Sequence, residues 1–333
     1  MKVLVTGGTG FLGRRIVSEL APRHSVRLLV RRGSSRERFP AGVEFADGDV
    51  TDRASLDRAI AGCDAVVHAA ALVKILAPRE EFDRINVGGL ENVLAAVEEA
   101  GGVERVLYVS SFIALGPTED APGGVLDETA EPRDRAWIND YERTKTLSDR
   151  LARRAIAAGF PLAVVYPGVI YGPGELTEGN IVVRHILDLV HGRLPALIGK
   201  PERRWNYVFV EDVARGIALA LEKPTGRYIL GGENVTLGDF YATVGRLTGA
   251  KIPTLRMPDG FAKAAGAMQK TWARLRGTTP QLTPDLVEIY QHDWAYDSSR
   301  AERELGYRGR PLTDGLASTV PWLKESGKWP QAR

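Results

Sequence analysis

The chain is poor in residues that build covalent or metal frameworks. It has 333 residues and one cysteine, Cys63. A lone thiol cannot form an intrachain disulfide, and no cysteine-rich metal site can be assembled. A reducing compartment, the cytoplasm, is the expected location. The five histidines are His24, His68, His185, His191 and His292, and they show no ligand spacing. His185 and His191 would fall on different faces of a helix. No metal is therefore expected. A dominant charge is also missing: 44 basic and 42 acidic side chains leave a net +2, which gives no case for nucleic acid as a partner. No apolar run approaches the length of a membrane span. No signal-peptide pattern, internal repeat or low-complexity tract is visible.

Glycine is plentiful, at 36 residues, and its placement near the N-terminus is specific. Lys2-Val3-Leu4-Val5-Thr6 reads as a buried strand. Gly7-Gly8-Thr9-Gly10-Phe11-Leu12-Gly13 follows, and Phe11, Leu12, Ile16, Val17 and Leu20 carry helical periodicity. Strand, glycine turn and helix in this order make a seat for a dinucleotide pyrophosphate. Gly7 permits the tight turn, Gly10 lets backbone approach phosphate, and Gly13 lets helix and strand pack closely. Thr9, Phe11 and Leu12 complete the expected cradle.

Strand-like and helix-like segments then alternate. Further strands are expected at Val26–Val30, Val43–Ala46, Asp64–His68, Arg105–Ser110 and Leu162–Tyr166. Helices are expected at Ala54–Ala61, Arg79–Ala100 and Asp140–Ala158. This alternation implies an α/β fold: a doubly wound parallel sheet of Rossmann type with helices on both faces. After Tyr166 glycines punctuate a loop, and a helix is expected at Ile181–His191. Asn206–Val210, a helix at Asp212–Leu221 and a strand at Arg227–Leu230 are expected to rejoin the nucleotide-binding part. Helices are also expected near Leu237–Leu247, Gly260–Trp272 and Asp285–Tyr290. The division is then 1–170 plus 205–232 for the nucleotide, and 171–204 plus 233–333 for a smaller, discontinuous C-terminal substrate lobe. Ligands should bind in the crevice at the carboxyl ends of the strands.

The end of the second strand bears on the choice of dinucleotide. NAD calls for an acidic residue there, on the ribose 2′-hydroxyl. This chain has Arg31-Arg32. Guanidinium groups at that position pair with a 2′-phosphate, which favours NADP(H) over NAD(H). Asp49, beside Val50, could accept from the adenine amino group. The small residues Ala69, Ala70 and Ala71 would let the cofactor lie against the backbone.

Tyr141 and Lys145 stand at i and i+4 at the start of an expected helix, on one face. An ammonium near a phenol lowers the phenol pKa. A tyrosine tuned this way can give a proton to a carbonyl being reduced, or take one from an alcohol. Lys145 can also hold the nicotinamide ribose. A third member should end the fifth strand, where Ser110 and Ser111 stand. Ser111 is the first choice to polarise the substrate oxygen.

These segments resemble the extended short-chain dehydrogenase/reductases. The resemblance rests on Thr6–Gly13, Gly48-Asp49, His68–Ala71, Asn86–Gly89, Ser110-Ser111 and Tyr141-x-x-x-Lys145. Two later segments carry it further: Tyr166–Gly174, with Tyr166 where that group usually has Arg, and Asn206–Ala214. The resemblance spans essentially the whole chain and implies Ser111, Tyr141 and Lys145 as catalytic residues. It also implies that Asn86 organises the site and that Pro167, Gly168 and Val169 line the nicotinamide pocket. Within the group the chain looks most like the dihydroflavonol-4-reductase-like branch, on its second-strand ending, Arg227–Asn234 and Leu305-Gly306-Tyr307.

The expected function is an NADPH-dependent carbonyl reductase or alcohol dehydrogenase acting on a small molecule. The alternative is a nucleotide-sugar epimerase, for which Asn180 and Arg203-Arg204 would grip the diphosphate. A non-catalytic NADP-binding regulator is a third reading, weakened by the presence of both Tyr141 and Lys145. Phe112, Trp137, Tyr171, Asn180 and Arg204 are the expected substrate contacts. The basic stretch 270–276 reads as a solvated helix end, or as contact with an acidic substrate or membrane surface. By analogy with relatives, the helices 79–100 and 140–158 would build a homodimer.

Overall fold

The computed structural model describes residues 1–131, 135–177 and 179–330. Its strands are β1 (Lys2–Thr6), β2 (Ser25–Val30), β3 (Glu44–Asp47), β4 (Ala65–His68), β5 (Arg105–Val109) and β6 (Leu162–Pro167). Then come β7 (Val169–Tyr171), β8 (Arg204–Phe209), β9 (Gly226–Leu230) and β10 (Glu233–Thr236). The helices are α1 (Phe11–Leu20), α2 (Arg53–Ile60), α3 (Arg79–Phe82), α4 (Gly88–Ala100), α5 (Asp140–Ala157) and α6 (Ile181–Val190). They continue with α7 (Val210–Leu221), α8 (Leu237–Thr248), α9 (Asp259–Arg276), α10 (Pro284–Ile289), α11 (Ser299–Leu305) and α12 (Leu312–Glu325).

Seven strands form one parallel sheet in the order β3-β2-β1-β4-β5-β6-β9. Both faces are covered, which explains the unbroken apolar runs. Successive side chains of a strand go to opposite cores. Val3 and Val5 enter the core that holds Ile16, Val17 and Leu20 of α1 and Val213 and Ile217 of α7. Leu4 enters the core that holds Leu56 and Ile60 of α2 and Val93 and Val97 of α4.

Two expectations are corrected. Asn206–Val210 does not rejoin the large sheet. β8 pairs with β7 and, antiparallel, with β10 in a small three-stranded sheet; only β9 returns to the large one, beside β6. The cause lies in Gly231-Gly232: a Cβ on Gly232 would fall 2.0 Å from the Tyr207 oxygen, so glycine lets the chain turn tightly onto β8. Asn206 fixes that turn, accepting from the Gly232 amide at 2.9 Å and donating to Asn234 Oδ1 at 2.8 Å.

The long helix expected over 79–100 is also interrupted. Between α3 and α4 lies a π-helical turn, Asp83–Val87, a feature common at functional sites. It carries Asn86, which faces inward and is buried.

Candidate active site

The carboxyl ends of β1, β4, β5 and β6 meet along one edge of the parallel sheet. The glycine turn follows β1. Gly7 has φ +75°, and a Cβ there would lie 2.5 Å from the Ala70 nitrogen. A Cβ on Gly13 would lie 2.1 Å from the Gly7 oxygen, so no larger residue allows α1 to sit this close. Gly10 caps α1 in extended conformation with no side-chain acceptor. The first-turn amides of α1, at Phe11, Leu12 and Gly13, therefore remain available to an anion, with the positive end of the helix dipole behind them. Thr9 lies within the same turn. Ala69, Ala70 and Ala71 run beside it, partly exposed, and are held to β1 through Ala69 N to Thr6 O and Ala70 N to Thr6 Oγ1. This cradle, too tight for a Cβ yet lined with free amides, fits a dinucleotide.

Arg31 and Arg32 follow β2. Both are exposed, and neither side chain makes a hydrogen bond or ion pair among the described residues. The neighbouring Arg36, by contrast, is tied to Asp47. Asp49 Oδ1 accepts from the amide and hydroxyl of Thr51, each at 2.8 Å. Val50 is buried and lies against Gly89.

Tyr141 is in the first turn of α5. Asn139 caps that helix by accepting from the Glu142 amide at 2.8 Å. The Glu142 carboxylate in turn accepts from the Ile138 amide at 2.6 Å and pairs with Arg135. This double cap fixes the backbone on both sides of Tyr141. Burial pushes the Tyr141 phenol up to about 12, while a hydrogen bond with Ser111 pulls the other way. Ser111 itself follows β5 and caps the short turn Phe112–Ala114.

Lys145 departs from the expected tuning role. Its ammonium donates to the Val109 carbonyl oxygen at 3.0 Å and to the Tyr108 hydroxyl at 3.4 Å. Burial lowers it to about 7. Desolvation thus outweighs any lowering of the Tyr141 phenol by a nearby positive charge. Tyr108 was missed by sequence reasoning. A signal existed: two residues before Ser110 in a strand, it shares that serine's face.

Among the described residues, the Asn86 side chain hydrogen-bonds neither Tyr141 nor Lys145. Its amide donates to Thr144 Oγ1 at 3.0 Å and to the Leu72 oxygen at 3.3 Å, and it accepts from the Leu72 amide at 2.7 Å. It straps the segment after β4 to the α5 turn between Tyr141 and Lys145. Pro167, Gly168 and Val169 link β6 to β7. A Cβ on Gly168 would meet Asn206 Oδ1 at 2.3 Å. Tyr166, at the position where the family usually has Arg, is buried and donates to Asp149 Oδ1 at 2.5 Å.

Of the expected substrate contacts, several are structural. Tyr171 is fully buried and its hydroxyl donates to the Leu312 oxygen at 3.3 Å; it packs edge-on against Phe209, so it is a core residue. Arg204 is a staple: its guanidinium donates to Gly124 O at 2.9 Å and its amide to Asp293 Oδ1 at 2.7 Å. Arg203 pairs with Asp293 at 3.3 Å. Asn180 is buried and donates to Gly172 O at 3.1 Å, while its Oδ1 has no partner among the described residues. Phe112 follows Ser111 in the chain and packs against Trp294 and Tyr296. Trp137 lines a pocket of about 170 Å³ with Ile113, Leu115, Arg135 and Thr146. Pro132, Arg133 and Asp134, in the expected substrate loop 112–140, lie outside the described residues. A larger surface cavity, about 480 Å³, includes Cys63 and Asp64 at the opposite end of the sheet, remote from this chemistry.

The model of the NAD dependent epimerase/dehydratase family matches residues 3–231. Sterol demethylase protein B of Methylococcus capsulatus is 32% identical over 338 residues, covering 98% of this chain and 99% of that protein. A putative dihydroflavonol 4-reductase of Synechocystis sp. is 30% identical over 335 residues, covering 97% and 94%. The UDP-glucose 4-epimerase of Thermotoga maritima superimposes with a TM-score of 0.78 at 20% identity, covering 98% and 99%, a likeness of fold alone. The chain belongs to the NAD-dependent epimerase/dehydratase family of extended short-chain dehydrogenase/reductases, and is an NAD(P)-dependent oxidoreductase.

Proposed function

We propose that the protein is an NADPH-dependent carbonyl reductase for a small molecule with an apolar body. One arrangement carries the reading: Tyr141, in the first turn of α5, and Ser111, at the end of β5, stand close enough to interact, on the same side of the sheet as the glycine cradle. A phenol so placed is poised to give a proton to a carbonyl oxygen as it gains negative charge.

The cradle of Gly7, Gly10 and Gly13 with the α1 amides would hold the pyrophosphate. Asp49 and Val50 would sit at the adenine, Ala69–Ala71 along the ribose, and Pro167–Val169 at the nicotinamide. Arg31, and Arg32 beside it, would pair with the 2′-phosphate. The nicotinamide, when bound, supplies the hydride. Ser111 Oγ donates a hydrogen bond to the carbonyl oxygen and orients it. Tyr141 transfers its hydroxyl proton to that oxygen as the C–O bond becomes single. Lys145, one helical turn along, would hold the nicotinamide ribose. Phe112, Trp294 and Tyr296 form an aromatic wall that keeps water from the step.

Relatives named for sterol and dihydroflavonol chemistry support a carbonyl substrate with an apolar frame. The ties of Arg203 and Arg204 to Asp293 and Gly124 weigh against a nucleotide-sugar epimerase, because both guanidiniums are engaged. A homodimer through α4 and α5 belongs to the same reading, by analogy, and sedimentation would test it. The function is tested by titrating the purified protein with NADPH and NADH while following nicotinamide fluorescence. Tight, exchangeable NADPH with weaker NADH supports a reductase. A preference for NADH, or a nicotinamide removed only by unfolding, points instead to the epimerase.

A further inference from the structure

Large hydrophobic side chains more than half exposed are concentrated in one place. Among the described residues they are Leu255 at 67%, Phe261 at 67%, Met268 at 62%, Trp272 at 54% and Leu275 at 81%. All but Leu255 lie on α9, at helical intervals that place them on a single stripe. A second stripe, Ala262, Gly266 and Ala273, is small and buried. It seats the helix against the start of α10, where a Cβ on Gly266 would meet Thr283 at 2.8 Å. A third stripe is basic. Lys263 pairs with Glu288 at 2.6 Å and Lys270 with Asp285 at 2.9 Å, while Arg274 is exposed and makes no ion pair among the described residues. Arg276 lies over the Trp272 ring at 4.5 Å.

We propose that α9 docks on an anionic lipid bilayer. The Phe261–Met268–Trp272–Leu275 stripe enters the headgroup boundary, and Arg274 and Arg276 meet lipid phosphates. Residues 251–276 hold six Lys or Arg against one acid, Asp259; Glu288 and Asp285 pair with two of the six, which leaves an excess of three positive charges in a chain whose net charge is only +2. This concentration of positive charge beside an exposed apolar stripe matches a negatively charged interface. Among the described residues no helix is long and apolar enough to cross a membrane, so α9 lies in the interface plane. A second copy of the chain is a poorer occupant, since pairing α9 with itself would bring like charges together.

The docking face lies on the expected substrate lobe, and a short chain of contacts leads from it toward the candidate active site. Ile289, at the end of α10, accepts a hydrogen bond from Trp294 Nε1 at 2.9 Å, and Trp294 abuts Phe112 at 5.5 Å. Docking stands by itself; that it would deliver a lipid-dissolved carbonyl compound to Ser111 and Tyr141 rests on the reductase reading.

The test is co-sedimentation of the full chain with extruded vesicles of phosphatidylcholine alone, or of equimolar phosphatidylcholine and phosphatidylglycerol. The protein should bind the mixed vesicles, be released by salt, and bind the neutral ones weakly. Changing Phe261→Ser, Met268→Gln, Trp272→Gln and Leu275→Gln together should lower partitioning ~10-fold or more, and so should Arg274→Glu with Arg276→Glu. NADPH fluorescence, unchanged in both variants, confirms retained folding. If NADPH does not bind even the unaltered chain, the reductase reading fails while the vesicle result still stands. Absence of vesicle binding, equal binding to neutral vesicles, or unchanged binding by the apolar variant overturns the proposal. So does a wild-type dimer that the apolar variant converts to monomer, which would assign the face to a second copy.

Discussion

The Lys145 ammonium is anchored to the carbonyl oxygen of Val109 by a 3.0 Å hydrogen bond. Helix α5 is thereby tied to the end of β5, the strand that leads into Ser111. Burial of that ammonium lowers it from an ordinary 10.5 to about 7. The unfolded chain therefore holds this proton between about pH 7 and 10.5, where the folded chain has released it. Stability from this group rises across that window. Lys145→Met should flatten the rise, and should raise the cofactor-free thermal midpoint more in mild acid than in alkali. Parallel pH curves for both proteins would show an ammonium in contact with water.

Tyr141→Phe removes one oxygen and leaves the ring in place. Turnover of a carbonyl substrate should fall by about 10²–10⁴-fold, the usual contribution of a positioned acid. NADPH binding should be nearly unchanged. Loss of both in stopped-flow and fluorescence measurements would mark Tyr141 as a structural residue.

On the NADPH reading, Arg31→Asp exchanges a phosphate partner for a hydroxyl partner. The affinity ratio of NADPH to NADH should fall ~10–100-fold, as expected for losing a hydrogen bond to a charged group. Because the side chain is exposed and unpaired, the unfolding midpoint should hardly move. An unchanged ratio would remove Arg31 from the cofactor site.

Two histidines, His68 buried and His185 half-buried, predict acid lability. Burial lowers His68 to about 3 and His185 to about 4, both below their ordinary 6.5. As pH falls from 6.5, the unfolded chain takes up these protons first, so stability is lost progressively toward pH 4 and below. His185 also shares a 2.9 Å hydrogen bond with Tyr241. His185→Gln should reduce the difference in urea midpoint between neutrality and about pH 5. An acid loss of the same size in the variant would place its cause elsewhere.

Local signals carried far in this chain. The strand, glycine turn and helix at residues 2–20 could be read because steric demands on Gly7 and Gly13 are expressed within a few residues. The parallel sheet followed from alternation alone. The membership of β8 was not legible, because Gly231-Gly232 redirects β10 onto it from far along the chain. Tyr171 and Arg204 were misread for the same reason. Their partners, Leu312 for one and Asp293 for the other, are distant in sequence, and an aromatic or basic residue near a cleft looks alike whether it faces ligand or core. The turn of Lys145 toward Val109 depends on a rotamer choice that helix spacing does not reveal.

β6 passes into β7 through Gly168 alone, and β9 into β10 through Gly231 and Gly232. The two sheets thus share strands that continue one another at two separate points, with Asn206 pinning the second. Two bodies joined by a single linker can swing like a jaw; here a swing would have to bend the crossings at Gly168 and at Gly231-Gly232 together. The relation between the two sheets is therefore set at two crossings instead of one.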